Sequence, residues 1–566
     1  MLLSVYGTQR DPGGIIVEKG IEAKMRDGDI LRADIYRPAD HKKHPVLLER
    51  TPYDRQSRSD FGVKAASRGF IYVVQDVRGR YGSDGDWYPF ANESNDGYDT
   101  VEWAAALPGS DGRVGMMGMS YVGATQLLAA VAQPPHLAGI YTIMTASNYY
   151  DGWTYRGGAL QQWFAESWSS GLSADTVRQH VADEGRLTEW AKRLPLTTFP
   201  VFEISKPENV APYFRDWLAH PSYDDYWKRW AIDERYSKIA VPATFVGGWY
   251  DIFLDGTLRN FASMSALQGD ASKHDRLIVG PWIHGPLARK TSDVDFGASA
   301  TTDVHEMILS WYDYLFFGKK NGHEAEKPVK VFVMGKNEWR DEDSWPLARA
   351  HLTRFFLHSD GAANAAAGNG SISTTAPGDE PADKFVYDPA DPVPTRGGGL
   401  CCAPIVPSGA WDQRSIEARK DVLVYTSPAV SHDTEVTGPI DVELYASSSA
   451  ADTDFTAKLV DVWPNGYAQN LTDGIIRARF RDSLEKPELM KPREVYKFTI
   501  HALATSNVFL SGHAIRVEIS SSNFPHYARS LNIPGESNTA SQGVKAMNEV
   551  YHDSQRPSAV ILPVVP

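Results

Sequence analysis

Cysteine is nearly absent from this sequence. Its 566 residues include two, Cys401 and Cys402, side by side. That excludes a disulfide framework and a zinc site built on thiolates. In so cysteine-poor a chain the pair is expected as two reduced thiols, with a vicinal disulfide as the alternative. Positive charge is also short: 57 Lys and Arg stand against 71 Asp and Glu, a net charge of −14. This argues against nucleic acid or an anionic membrane as the partner. No apolar run approaches the ~18 residues of a membrane span. The N-terminal MLLSVYGTQRDPGG has neither a basic start nor a long apolar stretch, so no signal peptide and a cytoplasmic location are expected. The sequon Asn470-Leu471-Thr472 is then idle. What is present is ordinary globular composition, 42% hydrophobic and 23% charged, which excludes global disorder and fibrous classes.

Residues 15–37 alternate apolar and polar around Arg26-Asp27-Gly28-Asp29, a hairpin pattern. Short β-rich runs follow at Val46–Leu48, Phe70–Val74, Val114–Gly118, Leu137–Met144, Ala240–Val246 and Leu277–Val279, with helical patterns such as Tyr98–Ala106 and Val122–Ala132 between them. Alternating strands and helices predict an α/β domain with a mostly parallel sheet, formed by residues 1–146 and 236–318. The intervening 147–235 is helical in pattern. It holds seven of the chain's 16 tryptophans, against roughly 2.5 for an even spread. It reads either as a lobe with an aromatic core or as a cap lining a pocket with indoles. From 319 to 566 strand-like runs recur, beginning at Val329–Met334, which predicts a β-sandwich or jelly roll. Residues 361–384, small and polar, are expected as an exposed loop.

The most informative segment is Gly118-Met119-Ser120-Tyr121-Val122-Gly123. A β run ends at Gly118 and a helical run starts after Ser120, the context of a nucleophile elbow. The second glycine falls one place later than in G-x-S-x-G. A helix starting after Ser120 leaves unsatisfied N–H groups beside a developing oxyanion, and the N–H of Tyr121 is the natural first donor.

A serine nucleophile needs a base, and the base an orienting acid. In a parallel sheet both belong just past strand ends. Asp251 follows the Ala240–Val246 run, and His284 follows Leu277–Val279. The order Ser120…Asp251…His284 is that of α/β-hydrolases. Asp255 competes with Asp251 but falls at a helix start, where capping suits it better. His274, His305 and His323 sit in polar or helical context, where a structural or surface role is the base expectation.

The segments TPYDR (51–55), QDVRGRYGSDG (75–85), GMSYVG (118–123), GGWYD (247–251) and GPWIHG (280–285) resemble the cocaine esterase-like hydrolases of the X-Pro dipeptidyl-peptidase and α-amino-acid ester hydrolase superfamily. The likeness continues through MGKNEWRDEDSWP (334–346), YDPADPVP (387–394) and ATSNVFLSGHAIRVEISSSNFPHY (504–527), and is weakest in the insertion. It implies an α/β-hydrolase core, a helical cap and a C-terminal jelly roll, with the triad Ser120, Asp251 and His284. It implies that the Tyr53 phenol is a second oxyanion donor, where the residues alone suggest an ordinary turn tyrosine. It also implies that Trp153, Trp168 and Phe253 line the acyl pocket. Two neighbouring pocket positions, bulky and apolar in the family, fall here on Cys401 and Cys402, which reshapes the site.

Asp251 is followed by the apolar Ile252, Phe253 and Leu254, a costly setting for a substrate ammonium. The resulting expectation is a serine carboxylesterase taking neutral or aromatic acyl groups, without metal or cofactor. Its partner is a small-molecule ester, and a homodimer is a candidate assembly. The alternatives are an X-Pro dipeptidyl-peptidase-like aminopeptidase or amidase, an α-amino-acid ester hydrolase, and a carbohydrate-binding protein built on the β domain.

Overall fold

The computed structural model describes all residues except 1–8, 11–13, 174–183, 204–210, 268, 270 and 291. Most of the N-terminal stretch read above lies outside the described residues. The hairpin forms as Ile15–Lys24 and Ile30–Pro38. Its turn is closed by Met25 N–H donating to the Asp29 carbonyl at 2.9 Å and Gly28 N–H to the Met25 carbonyl at 3.0 Å.

That hairpin borders an eleven-stranded sheet. From Ile71–Asp76 through His44–Thr51, Ser110–Met119, Leu137–Ile143, Ala243–Tyr250 and Arg276–Ile283 to Val329–Val333, neighbouring strands run parallel. Strand alternation divides the core. Val46 and Leu48 pack with the helices Glu93–Ala105 and Tyr121–Val131 on one face. Leu47, Tyr72 and Met117 pack with Ser59–Ser67 and Val304–Phe317 on the other. Helix Tyr121–Val131 is buried at every residue, which its Ala- and Leu-rich sequence permits.

One expectation needs correcting here. Val329–Met334 was grouped with the C-terminal β region, but Val329–Val333 pairs in parallel with Arg276–Ile283, and Glu338–Glu342 closes the same sheet's edge. Helix Val304–Phe317 supplies the crossover, so these strands complete a βαβ unit. The central sheet therefore extends past residue 319.

The described part of the insertion contains the helices Gln162–Ser173, Glu184–Trp190, Pro212–Ala219 and Asp225–Lys228. Trp153, Trp163, Trp217 and Trp227 are completely or almost completely buried. Truncating one such indole to alanine costs about 3–5 kcal/mol. Beyond residue 350 the strands join a twelve-stranded network, antiparallel except for the Ser371–Thr426 pairing. The segment 361–384 is not simply an exposed loop. It contributes Ser371–Ser373 to that network and buries Ala363, Ile372 and Asp383. Tyr425 and Ser359 hydroxyls both donate to Asp383, at 2.8 Å and 2.7 Å, so its polar residues are used internally.

Candidate active site

Ser120 occupies the one-residue joint between Ser110–Met119 and Tyr121–Val131. Its φ of 64° and ψ of −126° are strained for a residue with a side chain. The flanking glycines make the joint feasible. Gly118 has φ 142°, and a Cβ there would lie 2.1 Å from the Val122 side chain. At Gly123 a Cβ would lie 2.7 Å from Thr145. The displaced second glycine thus allows close packing of helix against strand end. Gln126 fastens the same end, donating to the Gly118 carbonyl at 3.2 Å and accepting from Tyr141 N–H at 3.0 Å.

The three triad candidates converge. His284 Nε2 lies 3.0 Å from Ser120 Oγ, and Nδ1 lies 2.7 Å from Asp251 Oδ1. Asp251 is fully buried and the His284 side chain is 7% exposed. An imidazole donating from Nδ1 to the carboxylate presents Nε2 as acceptor to the serine hydroxyl, the arrangement general-base activation requires. Phe253 packs against the His284 ring at 5.1 Å, nearly perpendicular. Asp255 sits in the first turn of Leu254–Leu267 and pairs with Arg259 at 2.6 Å.

Two candidate donors lie beside Ser120. Tyr121 N–H opens a helix and has no intrahelical acceptor. The Tyr121 phenol is engaged elsewhere, donating to Glu93 at 2.9 Å and accepting from Phe90 N–H at 2.8 Å. Tyr53 follows His44–Thr51, and its phenol interacts with Ser120. Burial pushes the Tyr53 phenol above its usual range, so it stays protonated and able to donate. Arg80, within QDVRGR, donates to the Pro52 carbonyl at 3.0 Å, and Arg55 N–H donates to Asp76 at 2.9 Å. These two contacts hold TPYDR in place. Neither was identified from sequence, because their value lies in what they hold.

A cavity of about 560 Å³ opens onto Ser120 and His284. Trp168, Cys401 and Cys402 lie on its wall; Trp153 and Phe253 do not. The last two are fully buried and stacked on each other at 4.3 Å. They support Trp168 and His284 from behind, which corrects their assignment as lining residues in this form. His305, set aside from sequence, lies on the wall, as do Glu49 and Arg58. The cysteine expectation is also corrected: Cys401 and Cys402 are joined as a disulfide. A loop of the β domain turns sharply at Cys402, φ 95°, bringing adjacent sulfurs together at the rim. The Ser167 hydroxyl meets the Cys401 carbonyl there at 3.5 Å.

Residues 27–286 match the family model described as X-Pro dipeptidyl-peptidase (S15 family), and residues 321–561 match X-Pro dipeptidyl-peptidase C-terminal non-catalytic domain. The chain is 38% identical to the cocaine esterase of Rhodococcus sp. (strain MB1 Bresler), covering 98% of this chain and 99% of that protein. Among solved structures, an aminopeptidase from a marine sediment Thaumarchaeota archaeon superposes with a TM-score of 0.85 at 25% identity, over 100% of this chain and 99% of that one. An α-amino acid ester hydrolase superposes with a TM-score of 0.84 at 24% identity and the same coverage, a likeness of fold.

Proposed function

This chain belongs to the X-Pro dipeptidyl-peptidase S15 family, and from that premise we propose that it is a serine carboxylesterase working through an acyl-enzyme on Ser120. The observation that carries this is the continuous hydrogen-bonded path from Ser120 Oγ through His284 to the buried Asp251. His284 takes the Ser120 proton as the oxygen attacks the ester carbonyl. Asp251 holds the imidazole and stabilises its cation. The oxyanion is received by Tyr121 N–H and Tyr53 O–H, and the alcohol leaves with the proton from His284. Water then attacks the acyl-enzyme, with His284 again as base.

The preference for esters with neutral or aromatic acyl groups rests on the wall's chemistry. Trp168, Tyr53, Met119 and Leu172 are apolar or aromatic. A free α-amino group needs carboxylates to pair with it. Among the described residues, the one carboxylate on the wall is Glu49, already engaged by Tyr72 at 2.6 Å and Arg58 at 3.0 Å. The aminopeptidase reading draws on the family description and the Thaumarchaeota structure, and finds no free carboxylate for an ammonium on the wall among the described residues. The C-terminal domain, read as a jelly roll, contributes the Cys401–Cys402 loop. A panel of p-nitrophenyl esters and X-Pro anilides separates the two readings. Ester turnover, lost in Ser120→Ala, supports the esterase; anilide turnover with inert esters favours the peptidase.

A further inference from the structure

The active-site cavity has a charged end that the ester mechanism does not use. Strand register pairs Leu48 with Met116, so Glu49 stands beside Met117, three residues before the nucleophile. Its carboxylate accepts from the Tyr72 hydroxyl at 2.6 Å and faces Arg58 Nε at 3.0 Å. The Glu49 side chain is only 6% exposed, whereas that of Arg58 is 37% exposed. The terminal guanidinium nitrogens of Arg58 make no hydrogen bond or ion pair among the described residues. The inner, engaged partner is thus the anion, and the outer, available partner is the cation. His305 lies on the same wall with Lys64 Nζ 3.3 Å from its Nδ1. Asp303, nearby at the helix start, accepts from the backbone N–H groups of His305 and Glu306 at 2.9 and 3.3 Å.

We propose that Arg58 is a specificity-determining residue, and that the enzyme takes esters carrying a carboxylate, which seats on its outward guanidinium edge. The planar fork of Arg58 matches a carboxylate in two parallel hydrogen bonds. Glu49 pairs with the guanidinium from behind, at Nε. Phe61, Met117 and Ile308 line the same cavity as Arg58 and Ser120, so an apolar connecting segment suits the substrate. This proposal rests on the esterase reading.

The test compares kcat/KM within two matched pairs. One carries the charge on the alcohol side (3-carboxyphenyl butyrate against phenyl butyrate). The other carries it on the acyl side (4-nitrophenyl 4-carboxybenzoate against 4-nitrophenyl benzoate). In at least one pair the wild type is expected to favour the carboxylate by about 10- to 100-fold, the usual worth of a hydrogen bond between charged groups. Arg58→Met should lower that ratio at least tenfold. Arg58→Lys, which keeps the charge beside Glu49 if the first variant folds poorly, should lower it severalfold. The double variant Glu49→Gln/Arg58→Met separates recognition from simple neutralisation. Its ratio stays low if Arg58 recognises the carboxylate, and returns to the wild-type value if Arg58 only masks Glu49. Turnover of the neutral esters without discrimination, or an Arg58→Met ratio equal to wild type, overturns this proposal alone. Failure on every ester overturns the esterase reading and this one with it.

Discussion

The indole N–H of Trp168 donates to the phenol oxygen of Tyr53 at 3.0 Å. A phenol has one proton to give. With Trp168 occupying its acceptor side, the Tyr53 proton is left to point at Ser120 and at any oxyanion formed there. The insertion thus touches the proposed oxyanion donor through this hydrogen bond as well as lining the cavity, and the bond gives Trp168 a positioning role in the proposed mechanism. Tyr53→Phe should lower kcat by about 10²–10³-fold, as for one lost oxyanion donor. Trp168→Phe should lower kcat less, by about tenfold. In the Tyr53→Phe background it should cost almost nothing further, because the group it orients is gone. Independent, multiplying losses in the double variant refute the coupling.

Gly118 is the position where the elbow tolerates least. Gly118→Ala places a methyl group 2.1 Å from Val122 at φ 142°. The clash and the backbone conformation together should cost about 3 kcal/mol or more, read as a fall in thermal midpoint with loss of activity. An active variant of unchanged stability contradicts the described elbow.

Glu166 lies on the same helix as Trp168 and is buried, with Gln162 donating to it at 2.8 Å. Burial pushes its carboxyl up to about 8, while the Gln162 hydrogen bond and the charge of Arg529 pull the other way. The folded state therefore keeps a proton that the unfolded chain releases near pH 4.5. Its contribution to stability is lost progressively as pH rises from about 4.5 towards 8. Glu166→Gln should flatten this decline and unfold later than wild type in denaturant at pH 8. Parallel pH–stability curves for the two proteins contradict the assignment.

Much of the candidate site was legible because it obeys a local rule: each triad candidate follows a β run, and that position singled out Asp251 over Asp255 and His284 over His274, His305 and His323. The hairpin turn and the helices after Asp251 and Ser120 carry equally local signals. What escaped depends on distance. Trp168 and Tyr53 are 115 residues apart, and nothing near either announces the bond. Glu49 closes an apolar strand run, Val46-Leu47-Leu48, so its burial beside Arg58 and Tyr72 was hidden. Val329–Val333 was misplaced because it reads as one more short β run like those that follow it, while its true neighbour, Arg276–Ile283, lies some fifty residues earlier. Trp153 and Phe253 were assigned to the pocket by likeness alone, and whether a ring lies on the wall or one layer behind it is invisible at that level.

The most direct test is to mix the protein with a fluorophosphonate and map the adduct by mass spectrometry, in wild type and in Ser120→Ala. One adduct per chain on the peptide containing Ser120 is expected, none in the variant, and the variant's ester turnover should fall by about 10⁴-fold or more with its fold intact. Labelling at another serine, or undiminished turnover in folded Ser120→Ala, contradicts the account.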